Sequence, residues 1–234
     1  SANNGLSGHY VELSIDHEGV VYAAGSAGAF RWLSDGQWQP RGPTDVFVSS
    51  VVATPWGDVF ASGNAMLYAM RSSAPWRPLL FGHEAHRSEH ELVGTIARIV
   101  FVTPRQHLLV TTQGDDILRS VDRGNQWRRV GLYRYGHSFV STTTGAILAG
   151  TEQGIFKSSD DGQTWIERSV GLTSFQIRAL TIGADRTIYA ADWKGGVFRS
   201  TDEGDRWRPM GTAPIGGVHA LLVMSNGALL AGSH

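Results

Sequence analysis

The sequence predicts an all-β chain built from repeated four-stranded antiparallel units, and three observations carry that expectation. Short apolar runs alternate with Gly-rich polar turns, and 29 of the 234 residues are glycine. A segment of the form apolar-apolar-basic-Ser-x-Asp-x-Gly-x-x-Trp recurs along the chain. Two further apolar runs precede each copy, so one unit reads as four strands, A to D, in about 40 residues.

The copies run in order: AFRWLSDGQW at 29–38, LYAMRSSAPW at 67–76, ILRSVDRGNQW at 117–127, IFKSSDDGQTW at 155–165 and VFRSTDEGDRW at 197–207. Their tryptophans stand at 38, 76, 127, 165 and 207, with spacings of 38, 51, 38 and 42. Strand A is HYVELSI, VFVSSVVA, IARIVFV, HSFVSTT, IRALTIG and VHALLVM. Strand B follows a polar turn, as in HEGVVYAAG, WGDVFASG, RQHLLVTT, TGAILAG, DRTIYAAD and NGALLAG. Continuous apolar A and B strands suit a sheet covered on both faces. Between strands C and D the Asp side chain is expected to cap turn amides and the Gly to take positive φ. The Trp opens strand D and is expected to wedge beside the next unit. A twisted four-stranded unit of this length is a propeller blade. The fold class is therefore a β-propeller of five complete blades plus a half blade, because there are six A/B pairs and only five C/D pairs. We expect one domain over residues 1–234, a piece of a six- to seven-bladed ring or one closed by Asn3–Ser7. The alternative is a five-bladed ring with a leftover hairpin.

Composition excludes several classes of function. With 41% hydrophobic residues a substantial core can form. Twenty basic residues against 21 acidic ones leave no global field toward nucleic acid. No run of 18 apolar residues is present, so no membrane insertion is expected. There is no cysteine, which removes disulfides, thiol nucleophiles and thiolate metal sites. The first residues, SANNG, show neither a basic head nor an apolar stretch, so any leader is expected to be already removed. An extracytoplasmic location, periplasmic or secreted, is expected.

The repeat resembles the Asp-box (BNR) repeat, Ser-x-Asp-x-Gly-x-Thr-Trp, over nearly the whole chain. Ser158, Asp160, Gly162, Thr164 and Trp165 match it fully. Ser200, Asp202, Gly204 and Trp207 match with Arg206 in place of Thr, and Ser120, Asp122, Gly124 and Trp127 match with Gln126 there. The first two copies are degenerate. The chain is thus similar to the propellers of sialidases, xyloglucan-degrading enzymes, sortilin-type receptors and photosystem assembly factors. The resemblance implies that these turns are structural and lie on the rim away from the ligand face. A calcium loop would need more oxygen ligands than this spacing supplies.

By analogy with such folds, the D-to-A and B-to-C loops form the binding face, and three features there stand out. The insert FGHEAHRSEHELVG at 81–94 accounts for the long 51-residue spacing. Its His83, His86 and His90 fall on one helical face, where three imidazoles with Glu84, Glu89 and Glu91 nearby suit zinc. The plain reading is a solvated charged turn and no cofactor, with zinc as the alternative. Second, aligning the A strands puts Val11, Ser49, Arg98, His137, Arg178 and His219 at one position. Two Arg and two His converging there would suit a carboxylate or phosphate. The alternative is that they pair with Asp115, Asp116, Glu152 and Asp192. Third, Tyr133-Arg134-Tyr135 and Asp192-Trp193-Lys194 place aromatics beside polar groups, as sugar rings or peptide side chains require. The alternative is packing between loops.

Catalytic signatures are weak. Phe30-Arg31 resembles the start of the sialidase Phe-Arg-Ile-Pro motif, but Ile-Pro is missing and the pair lies in strand C. Xyloglucan-degrading enzymes place paired acids between two propellers, a cleft that one short propeller cannot make. No Ser/His/Asp constellation or phosphate loop is evident. The sequence therefore favours a non-catalytic binding scaffold for a protein or glycan ligand, with an anionic ligand suited to the basic position. The alternative is a glycoside hydrolase of the sialidase-like or xyloglucanase-like class.

Overall fold

The structure is a computed structural model that describes residues 10–15, 18–44, 46–63, 66–71, 75–79, 97–112, 117–130, 136–213 and 217–232. These residues form five four-stranded antiparallel sheets and one two-stranded sheet. Blade 1 is β1 (Tyr10–Ile15), β2 (Val21–Gly25), β3 (Gly28–Trp32) and β4 (Trp38–Thr44). Blade 2 is β5 (Val48–Ala53), β6 (Val59–Gly63), β7 (Met66–Met70) and β8 (Arg77–Leu79). Blade 3 is β9 (Ala97–Val102), β10 (Leu108–Thr112), β11 (Ile117–Ser120) and β12 (Arg128–Val130). Blade 4 is β13 (Gly136–Ser141), β14 (Ile147–Thr151), β15 (Gly154–Ser158) and β16 (Ile166–Glu167). Blade 5 is β17 (Ile177–Ile182), β18 (Ile188–Asp192), β19 (Gly196–Ser200) and β20 (Arg208–Thr212), and β21 (Ala220–Val223) and β22 (Leu229–Gly232) form the half blade.

The chain divides into two compact units. The first holds blades 1 to 3, apart from a few blade 3 residues at 103–105, 117 and 130, and the second holds blades 4 and 5 and the half blade.

Burial explains the strand pattern. Strands β6, β10 and β14 are buried along their whole length, as their unbroken apolar and small-residue runs require. Apolar clusters fill the space between successive blades within each unit. In the second unit Val140, Leu148 and Ile155 of blade 4 meet Ile177, Leu180, Ile188, Ala190, Phe198 and Trp207 of blade 5. In the first, Phe60, Leu67 and Ala69 of blade 2 meet Val100, Leu108 and Val110 of blade 3. A serine on one A strand also accepts the next A strand's amide: Ser14 from Ala53 at 3.1 Å, Ser50 from Val100 at 3.3 Å, and Ser138 from Leu180 at 3.1 Å.

The tryptophan wedge departs from expectation in direction. Trp207 is 3% exposed and joins the cluster shared with blade 4. Its indole N–H donates to the Arg168 carbonyl at 2.9 Å and its amide to the Val170 carbonyl at 2.8 Å, both in the preceding blade. Trp76 of blade 2 likewise donates its indole N–H to the Arg41 carbonyl of blade 1. The large ring at the start of strand D closes the seam behind it, not the one ahead. Gly171 is required at that seam: its φ is +94°, and a Cβ would lie 1.9 Å from the Trp207 carbonyl oxygen.

Five of the six aligned A-strand positions are structurally equivalent, and the reason is a β-bulge. Partners skip from Tyr10 to Glu12, Val48 to Ser50, Ala97 to Ile99, Gly136 to Ser138 and Ile177 to Ala179, which leaves residues 11, 49, 98, 137 and 178 as the extra residue. In the half blade Gly232 pairs with Ala220 and also accepts the His219 amide at 2.8 Å. At the five bulges two residues oppose one on the partner strand, an irregularity that can re-aim a side chain.

Candidate functional site

The Ser-x-Asp-x-Gly turns have a geometry of their own. In blade 4 the Ser158 hydroxyl donates to Asp160 Oδ1 at 2.8 Å and accepts the Gly162 amide at 2.8 Å. Asp160 Oδ1 also accepts the amides of Gln163 at 3.0 Å and Thr164 at 2.8 Å, and Oδ2 takes the Thr164 hydroxyl at 2.6 Å. Ser120/Asp122 and Ser200/Asp202 repeat this scheme with Gly124 and Gly204. Two consecutive residues take positive φ in each turn: Arg123 and Gly124, Asp161 and Gly162, Glu203 and Gly204. Burial pushes the Asp160 carboxyl up, but the donors from Thr164, Ser158 and Gln163 more than reverse this and hold it below the ordinary Asp value. Asp122 and Asp202 are lowered by the same balance. Asp160 is engaged through both oxygens by its own turn, and Asp122 and Asp202 through Oδ1. Trp127 donates to the Gly124 carbonyl at 3.1 Å, whereas the buried Trp165 indole nitrogen has no hydrogen-bond partner.

The loop face of the second unit differs. The bulge in β17 turns Arg178 toward blade 4, where one terminal nitrogen lies 3.1 Å from His137 Nδ1 and the other 3.3 Å from Glu152 Oε1. Guanidinium has only donors, so His137 Nδ1 must accept, which leaves the imidazole neutral with its proton on Nε2. That nitrogen is 3.5 Å from the same Glu152 oxygen. The Arg178 carbon lies 5.1 Å from the centre of the Trp193 ring, a cation–π distance. The His219 ring meets Trp193 edge-on, with centroids 5.3 Å apart. His137 and Arg178, at successive bulges, and His219, at the aligned position of the half blade, are thus joined through Glu152 and Trp193.

Local turns hold these groups in place. Asp192 Oδ1 accepts the amides of Lys194 at 2.8 Å and Gly196 at 2.7 Å. Asp192 is buried and shapes the turn that presents Trp193, which is 45% exposed. The Trp193 amide donates to the Gln176 carbonyl at 2.9 Å, and the Gly154 amide to the Phe175 carbonyl at 2.7 Å. The Glu152 turn is closed by Thr151, whose hydroxyl accepts the Gln153 amide and donates to the Gly154 carbonyl, both at 3.0 Å. Exposed Phe175 lies over Gly154, which follows Glu152 by two residues in the same turn. Lys194 is exposed on the Trp193 turn.

Within the second unit Arg178 is paired with Glu152, one of the partners that the sequence offers, and contacts His137. Arg98 lies in β9, and its side chain falls outside the described residues, as do Tyr133, Arg134, Tyr135 and the histidines 83, 86 and 90. Among the described residues no cluster of three or more His, Asp or Glu is placed to hold a metal. No described helix is long and apolar enough to cross a membrane. Sequence reasoning did not single out Phe175, a lone apolar loop residue without a periodic signal. It noted Glu152 only as a neutralising partner.

No family model matches the chain, and no curated protein matches it. Solved structures do. Streptogramin B lyase superposes with a TM-score of 0.73 at 13% identity, covering 95% of this chain and 75% of that one. YCF48 bound to D1 peptide gives 0.69 at 13% identity, covering 96% and 75%. The extracellular domain of BT4673, a putative one component system of B. thetaiotaomicron, gives 0.65 at 11% identity and covers 96% of this chain but only 37% of that one. The chain has the β-propeller fold. At these identities the likeness establishes the fold alone, a fold shared by lyases, a protein bound to a peptide and an extracellular domain.

Proposed function

We propose that the protein is a binding module whose loop face takes a carboxylate-bearing segment of a protein partner. The observation that carries this reading is Arg178, held at a bulge between Glu152 and the exposed ring of Trp193, with Phe175 close by. Such a pairing of a donor fork with aromatic surface fits a carboxylate next to an apolar or aromatic side chain. The peptide bound by YCF48 is an instance of a propeller of this fold taking a protein segment. On the opposite rim we read the Ser-x-Asp-x-Gly turns as Asp-box repeats that stiffen the blades. The ligand would be met outside the cytoplasm.

The test is an acidic-peptide array probed in parallel with a glycan array, using the parent protein and Arg178→Ala. Retention of acidic peptides that is lost in the variant is the expected result. Retention of acidic sugars alone would move the ligand to the glycan class, and their hydrolysis would move the protein to the glycoside hydrolases. Equal retention by both proteins would overturn the site.

A further inference from the structure

Arg178 is already occupied. Glu152 engages it through Oε1 at 3.3 Å, a single and rather long contact for an ion pair. The Glu152 side chain is 36% exposed and sits on a tight turn, so it can swing outward without disturbing the strand behind it. Exposed rings stand close by: Phe175 over Gly154, and Trp193 with its centre 5.1 Å from the guanidinium carbon. His137 contacts both members of the pair, Asp192 is committed to its own turn amides, and Lys194 is exposed on the Trp193 turn.

We infer that Glu152 is a resident competitor for the ligand's carboxylate and so determines what the site accepts. It occupies Arg178 when no ligand is present, and an incoming carboxylate binds by displacing it. A bare carboxylate merely exchanges one ion pair for another and gains little. A carboxylate carrying an adjacent aromatic ring also covers Trp193 and Phe175, and this apolar contact tips the exchange. Glu152 thereby lowers the affinity for every carboxylate alike, and only ring-bearing ones keep enough contact to bind appreciably. This inference rests on the binding reading above and adds the threshold that an entering carboxylate must pass.

The experiment titrates three probes into the parent protein, Glu152→Gln and Arg178→Ala. The probes are N-acetylphenylalanine, its carboxamide, and N-acetylglycine, with binding followed by calorimetry at low and moderate salt. Thermal melting confirms that each variant is folded. In Glu152→Gln both carboxylates should bind about threefold to fivefold more tightly, the weight of a partly exposed ion pair. The gain should shrink with salt, and the carboxamide should be unaffected. N-acetylglycine, undetectable or weak in the parent, should come within reach. If Glu152→Gln binds both acids no better than the parent while Arg178→Ala has lost them, the competitor role is wrong and the binding site stands. If Arg178→Ala binds as the parent does, or neither parent nor Glu152→Gln binds any probe, both the competitor role and the site are overturned.

Discussion

The two rims of the second unit use similar residues to opposite effect. On the turn rim, Asp160 and Asp202 accept hydrogen bonds from residues two to four positions away in the same blade. Each carboxylate is satisfied within one short segment, and the motif can be repeated from blade to blade. On the loop rim, Glu152 meets Arg178 from the neighbouring blade, 26 positions away, and remains 36% exposed. Nothing local satisfies it. Short-range saturation stiffens a blade, whereas long-range, half-exposed pairing leaves valences that a ligand can take over.

Substitutions that separate stability from binding put this contrast at risk. The largest effect is expected from Trp207→Ala, which empties the seam between blades 4 and 5 and leaves the Arg168 carbonyl without its donor. Urea denaturation should show a loss of about 3–5 kcal/mol. Asp160→Ala should cost about 0.5–2 kcal/mol, as a lost cap does, with probe affinity unchanged. A variant of parental stability that has selectively lost binding would reverse the roles of the two rims.

Acid sharpens the comparison. The folded-state carboxyls of Asp122, Asp160 and Asp202 are held below their ordinary value. Their contribution is therefore complete above the unfolded value of about 4 and is lost as pH falls through the folded values. Thermal melts between pH 6 and strong acid should show this loss, and Asp160→Ala should blunt it.

Smaller still is Glu203→Gln. The Thr142 hydroxyl heads the causes that lower this carboxyl, burial opposes it, and Thr143 and Thr144 add to the lowering. Glu203 accepts hydroxyls of blade 4 at 2.7 and 3.0 Å. Losing the charge should cost about 1 kcal/mol in a denaturant titration. Lys157→Ala removes one of two cations on exposed Asp205 and should change stability by less than about 0.5 kcal/mol.

Much of the fold was legible because it repeats. Strand order, the five blades and the half blade follow from apolar runs and turn residues that recur at one spacing. The bulge position was legible for the same reason: aligning strand A on strand B fixes one column even when its residues are as unlike as Val11 and Arg178. What does not repeat was not legible. Trp207 could be seen to wedge, but which seam it closes depends on the sense in which successive sheets stack, and that leaves no trace in one segment. The Arg178–Glu152 pair joins two blades and belongs to no repeat. Asp192, read as part of a ligand-contacting trio, proves to be the buried turn-former that holds Trp193 out, a distinction set by two amides and not by residue type.

The bulge also uncouples side-chain identity from strand pairing. The extra residue of a bulge can be exchanged without shifting the pairing of its neighbours, so the identity at 137 or 178 is decoupled from strand register. Randomising the bulge positions together would vary the chemistry of the face while leaving its frame intact, much as hypervariable loops do on an immunoglobulin framework. The scaffold is in that sense a ready-made library, with one addressable position per blade.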